Sequence, residues 1–196
     1  MEPAKKDPSI TFQPQQLKKY DKEDVLYLDP KHSIKRGTVN MITGPASSGK
    51  TQLCYYFAVQ TVLPKDCGGH NSNVLYWALG KPFVEKKAND LINSALCKGL
   101  SQEAPKKIFF PEIKNKSVLD NHLNNLEGTI RSMNIKTIII DAINPIVIEA
   151  FEHDNSKGEK EIDYGERNKF LDEGLLKPLT KCAREFGLFD SATRLY

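Results

Sequence analysis

The chain has 196 residues, enough for one domain of ordinary size whose core buries about 70% of the unfolded surface. Lysine and arginine total 28 against 25 acidic residues, and the net charge of +3 is too small to attract nucleic acid by bulk electrostatics, so any such contact must be local. The longest apolar runs fall far short of the ~18 residues of a membrane span, and the first residues hold no apolar signal segment; the chain is expected to be soluble, not secreted and without membrane partners.

Residues 1–24 are polar and interrupted by Pro3, Pro8 and Pro14, which predicts a flexible N-terminal arm ahead of one domain over 25–196. "TVNMITG" (38–44) reads as a short buried strand, and Thr51 to about Val62 as a helix that Pro64 ends. "NVLYWAL" (73–79) is a second strand; after it Val84, Ala88, Leu91, Ile92 and Ala95 recur on one helical face. "KIFFPEI" (107–113) is a third strand in which Pro111 ends the pairing or marks an edge. Leu119, Leu123, Leu126, Ile130 and Met133 step by four, three, four and three, predicting one helix behind a Ser117 cap with Asp120 at its third position. "KTIIID" then describes a strand buried on both faces that ends in Asp141. "EAFEHDNSKGEKEIDYG" (149–165) reads as an acidic surface loop, and a last helix over about 166–186 is expected to kink or break near Lys177, because Pro178 lies inside it. Strands alternating with helices argue for an α/β protein around a mostly parallel sheet. The four cysteines, Cys54, Cys67, Cys97 and Cys182, lack C-x-x-C spacing and neighbouring histidines, and read as plain buried thiols of a reduced compartment.

Chemistry concentrates at "GPASSGKT" (44–51), which matches G-x-x-x-x-G-K-[ST] in full between a strand and a helix. Such a loop lets backbone N–H groups and a helix N-terminus face phosphate, Lys50 reach the β and γ oxygens, and Thr51 ligate Mg²⁺. Gly44, Pro45, Ala46, Ser47, Ser48, Gly49, Lys50, Thr51 and Gln52 are therefore the candidate ATP-binding residues. Asp141, at the end of an apolar strand, is the candidate second carboxylate that with Thr51 orders the metal.

"GPASSGKTQL", "NVLYW", "TIIIDAIN" and "LLKPLTKCAREFG", in this order over about residues 33–187, resemble the ATPase core of RecA/RadA-type recombinases, above all the eukaryotic recombinase paralogues. The resemblance implies a RecA-like P-loop core, a nuclear subunit of homologous recombination or double-strand-break repair, partnership with related subunits, and loops that contact single-stranded DNA. Three departures qualify it. The family's Tyr-x-x-x-Glu-Gly-x-Phe stretch is "YWALGKPF" here, which keeps Tyr76 and Phe83 and places Gly80 where the water-activating Glu belongs; Glu85, the nearest carboxylate, reads as a solvated helix-start residue. After Gly187 only "LFDSATRLY" remains, with two charges in nine residues, a poor candidate for the family's next buried strand and its γ-phosphate sensor. No helical DNA-binding domain and no Phe-x-x-Ala tether precede the core.

The expectation is a core incomplete at its C-terminal end that holds ATP and hydrolyses it weakly or not at all. Ile138, Ile140, Leu175, Leu179 and Phe186 would lack cover beside an open strand edge, leaving a marginally stable or self-associating chain. Two other readings fit the same loop: a P-loop scaffold with nucleotide as a structural ligand, and a small-molecule or nucleoside kinase, against which no Arg-rich lid segment is found. Arg131, Lys136, Arg167, Lys169, Lys177, Lys181 and Arg184 are the candidate DNA contacts, against the plainer reading of a solvated helix surface.

Overall fold

The computed structural model describes residues 25–27, 33–94 and 103–195; the arm expected over 1–24 and Ala95 lie outside them. In chain order, β1 (Val25–Tyr27) pairs antiparallel with β2 (Ser33–Lys35), a ribbon ahead of the main sheet. β3 (Thr38–Gly44) leads through the glycine loop into α1 (Lys50–Val62), and β4 (Asn73–Ala78) is followed by α2 (Glu85–Ser94). β5 (Ile108–Phe109) is only two residues long and lies at the sheet edge, so Pro111 falls just past the pairing and removes no ladder N–H.

The stripe expected to form one helix forms two, α3 (Lys116–Asn124) and α4 (Leu126–Ser132), hinged at Asn125. Asn125 there donates its side-chain amide to the Asn121 carbonyl at 2.8 Å, a local bond that competes with helix continuation. The stripe survives the break: Leu119, Leu126 and Ile130 are buried, with Leu123 and Met133 partly so. The cap is Asn115 and not Ser117, since Asn115 Oδ1 accepts from the Val118 N–H at 3.0 Å.

β6 (Ile135–Asp141) is buried on both faces, as expected of a central parallel strand. The segment expected as a surface loop is ordered: α5 (Asn144–Phe151) runs into a hairpin of β7 (Glu152–Asp154) and β8 (Lys160–Ile162), closed by Asn155 through bonds to the Lys157 and Glu159 N–H groups. α6 (Tyr164–Lys169) continues without interruption through π-helical turns at Phe170–Leu176 into α7 (Lys177–Phe186). The chain stays helical through Pro178, and the irregularity expected near Lys177 is the π-helical stretch that ends at Leu176. The wide turns shift the ladder so that Lys177 N–H donates to Asp172, and Pro178 falls in the first turn of α7, where a missing N–H is harmless.

The largest departure from expectation is β9 (Phe189–Leu195). The five-stranded parallel sheet runs β3-β9-β6-β4-β5, so the tail read as too polar for the interior lies between the loop strand and the Asp141 strand. Both flanks are paired, Thr38 to Phe189 through Gly44 to Leu195 on one side and Thr137 to Phe189 through Ile140 to Ala192 on the other. Backbone hydrogen bonds to two neighbours, anchored by the buried Leu188 and Phe189, outweigh a modest apolar content. Two apolar cores sandwich the sheet, one under α1 and α2, the other under α3, α4, α5 and α7. Ile138, Ile140, Leu175 and Leu179 have full cover and Phe186 is half-buried, so the exposed patch expected beside β6 does not exist. β3 is instead the terminal strand of the described sheet, with Met41 47% exposed. Cys54 and Cys182 are free and buried, whereas Cys67 is disulfide-bonded, contrary to the expectation of four plain thiols; Cys97 lies outside the described residues. Among the described residues no helix is long and apolar enough to cross a membrane.

Candidate nucleotide-binding site

β3 delivers Gly44 to the carboxyl edge of the sheet, and residues Pro45 to Gly49 turn the chain back into α1. Gly49, the N-cap, has φ +85°, a left-handed conformation that favours glycine. Lys50 is 7% exposed and folded onto its own loop: Nζ donates to the carbonyls of Gly44 at 2.8 Å and Pro45 at 2.6 Å, and to Ser48 Oγ at 3.2 Å. Pro45, Ala46, Ser47, Ser48, Thr51 and Gln52 lie exposed around it. The first turn of α1 has no side-chain cap and no acidic residue. An uncapped 13-residue helix start beside a buried ammonium is a donor set that fits an anionic phosphate chain.

Asp141 ends β6 opposite Ala78 of β4, and is 9% exposed. Tyr76, two residues before Ala78 and therefore on the same face of the sheet, donates its hydroxyl to Asp141 Oδ2 at 3.0 Å. Tyr76 is locked by two rings, Tyr55 of α1 with centroids 5.6 Å apart and Phe83 edge-on at 4.9 Å. Tyr55 and Phe83 stack at 5.0 Å, and Tyr55 Oη accepts the Val84 N–H at 2.6 Å. The Asp141 charge reaches α1 as well. Burial first and that charge second push the Cys54 thiol well above its ordinary range, and Tyr76 is raised by burial before the nearby charged groups. One sheet edge thus brings together the glycine loop, the start of α1 and Asp141. Thr51 and Asp141 are a sparse set for a metal, which suits Mg²⁺, an ion held by one or two protein oxygens together with phosphate and water; no cluster of three or more His, Cys, Asp or Glu occurs among the described residues.

Gly80 has φ +91°, and a Cβ built on it would lie 2.5 Å from Pro145 Cγ and 2.6 Å from Pro145 Cβ. A side chain at position 80 is strained in conformation and requires Pro145 to shift. Glu85 opens α2 on the exposed side, the solvated helix-start residue expected from its place.

The basic residues form no common unpaired face. Arg131 pairs with Glu185 at 3.0 Å, Lys177 with Glu173 at 3.3 Å and Lys181 with Glu127 at 2.5 Å, while Arg167 lies over the Tyr164 ring at 5.4 Å. Lys169 and Arg184 are exposed, and Lys136 is half-buried. Sequence reasoning missed Pro145 and the Tyr76 hydroxyl. Parity along β4 and β6 places Tyr76 and Asp141 on one face, but only once the two strands are known to be neighbours in this register.

The Rad51 family model matches residues 27–193. The chain is similar to DNA repair protein RAD51 homolog 2 of Mus musculus, with 30% identity over 160 residues that make up 78% of this chain and 43% of that protein. It is similar to the Homo sapiens protein of the same name, with 28% identity over 69% of this chain and 35% of that protein. A more distant match is the DNA repair and recombination protein RadA of Aeropyrum pernix, 25% identical over 56% of this chain and 34% of that protein. The chain therefore spans less than half the length of each of these curated relatives.

Proposed function

The chain belongs to the Rad51 family, and on that premise we propose that it is an ATP-binding, recombinase-paralogue-like subunit acting in homologous recombination and DNA double-strand-break repair, with weak or no hydrolysis of its own. The observation that carries the reading is the contrast within one site. The loop has its buried Lys50, its uncapped helix start and Asp141 close by, while the position of the family's water-activating carboxylate is Gly80 packed against Pro145. In this reading Gly44 to Gln52 hold the phosphates, and Thr51 and Asp141 hold Mg²⁺, which when bound offsets phosphate charge.

Related recombinase subunits are the proposed partners, because the matched relatives are named as DNA repair proteins and the described sheet ends in β3, whose outer edge carries Met41. The place of action is then the nucleus. Contact with single-stranded DNA is assigned to Lys136, Lys169 and Arg184, since the other basic candidates are committed to carboxylates or to an aromatic ring. The constrained position 80 equally favours a scaffold in which nucleotide is only a structural ligand. Affinity for a labelled ATP analogue with and without single-stranded DNA separates the two. A repair subunit binds the analogue in Mg²⁺ with an affinity that DNA changes, a scaffold binds it indifferently to DNA, and absence of binding removes both.

A further inference from the structure

Outside the glycine loop, the most closely engineered contact is the one between Tyr76 and Asp141. The donor to this carboxylate is a buried phenol: Tyr76 is 1% exposed, reaches Oδ2 at 3.0 Å, and comes from a different strand. Its ring cannot swing away, because Tyr55 and Phe83 pack against it and against each other, and Tyr55 is tied to the backbone at Val84. The cluster joins three segments that border the site: α1 directly behind the loop, the turn carrying Gly80, and the carboxylate itself.

We infer that Tyr76 is a positioning residue for metal-dependent nucleotide binding, its hydroxyl holding the Asp141 carboxylate in one orientation. The inference rests on the reading of the site as an Mg²⁺·ATP site. A phenol suits the task because it donates a single proton and is a poor metal ligand while protonated, so it fixes the carboxylate without competing for the ion. The ring contacts make the arrangement stiff, so an incoming nucleotide meets a carboxylate already oriented.

The test is equilibrium binding of a fluorescent non-hydrolysable ATP analogue, in Mg²⁺ and in excess EDTA, to the wild type, Tyr76→Phe, Asp141→Asn and the double variant, with the thermal midpoint of each unliganded protein. Tyr76→Phe keeps the ring and its contacts. It is expected to lose about ten-fold of the affinity gained on adding Mg²⁺, the scale of one hydrogen bond to a charged group. Its affinity in EDTA stays close to that of the wild type, and its midpoint falls by only a few degrees, the cost of the same bond to folding. In the Asp141→Asn background the same change has no further effect, because both act through one carboxylate. An unchanged Mg²⁺ gain in Tyr76→Phe, an equal loss with and without Mg²⁺, additive effects in the double variant, or loss of the folding transition would each overturn the inference. Failure of the wild type to bind the analogue would instead remove the nucleotide reading beneath it.

Discussion

Gly80 and Pro145 act as a pair. Position 80 has φ +91° and the proline ring stands where a Cβ would go, so Gly80→Glu alone must strain the turn or displace α5. It is expected to lower stability by about 1–3 kcal/mol in urea unfolding and to leave phosphate release at the wild-type level. Gly80→Glu with Pro145→Ala removes the clash and is expected to recover part of the stability and to raise release. A single Gly80→Glu variant as stable as the wild type would mean that the turn is not constrained as described. Lys50, Thr51 and Asp141 were legible in the sequence because each belongs to a local pattern, a glycine loop or an apolar strand ending in a carboxylate. Pro145 and the Tyr76 hydroxyl were not, because their roles exist only across strands, through the pairing of Ala78 with Asp141.

At the scale of elements, periodicity located the stretches of α1, α2, α3–α4 and α6–α7 but missed α5 (Asn144–Phe151), and the limits of the others fell to single hydrogen bonds and wide turns. Asn125 divides one expected helix into α3 and α4, and π-helical turns carry another past Pro178. The acidic stretch after Asp141 hid a hairpin because its strands are three residues long and almost wholly polar. β9 was misread for a related reason. Its composition argues against burial, but its backbone has a ladder on each side, and composition says nothing about ladders. Ala192→Pro removes an N–H from the middle of this strand and is expected to destabilise the fold by more than about 3 kcal/mol in urea unfolding, whereas Pro178→Ala stays within about 1 kcal/mol. A tolerated proline at 192 would contradict the central placement of β9.

For the whole molecule, β9 closes the sheet, and the two cores on its faces leave no exposed apolar patch beside β6. Cooperative unfolding of the isolated chain is therefore expected, in place of the marginal stability expected from an uncovered strand edge. Cys54 gives that stability a pH dependence. Its thiol is raised by burial and by Asp141, so the folded state favours the protonated form; the contribution is complete below the unfolded thiol value of about 8.5 and declines as pH rises beyond it. Urea midpoints should fall between pH 7.5 and 9.5 and fall less in Cys54→Ala, while parallel declines in the two proteins would assign the effect elsewhere. The central claim is that this fold holds ATP without turning it over, and it is tested most directly by measuring binding and phosphate release on the same preparation, beside Lys50→Ala. The account predicts near-stoichiometric binding in Mg²⁺ that Lys50→Ala abolishes, with release near background whether or not single-stranded DNA is present; robust release by the unmodified chain, or undiminished binding by Lys50→Ala, would contradict it.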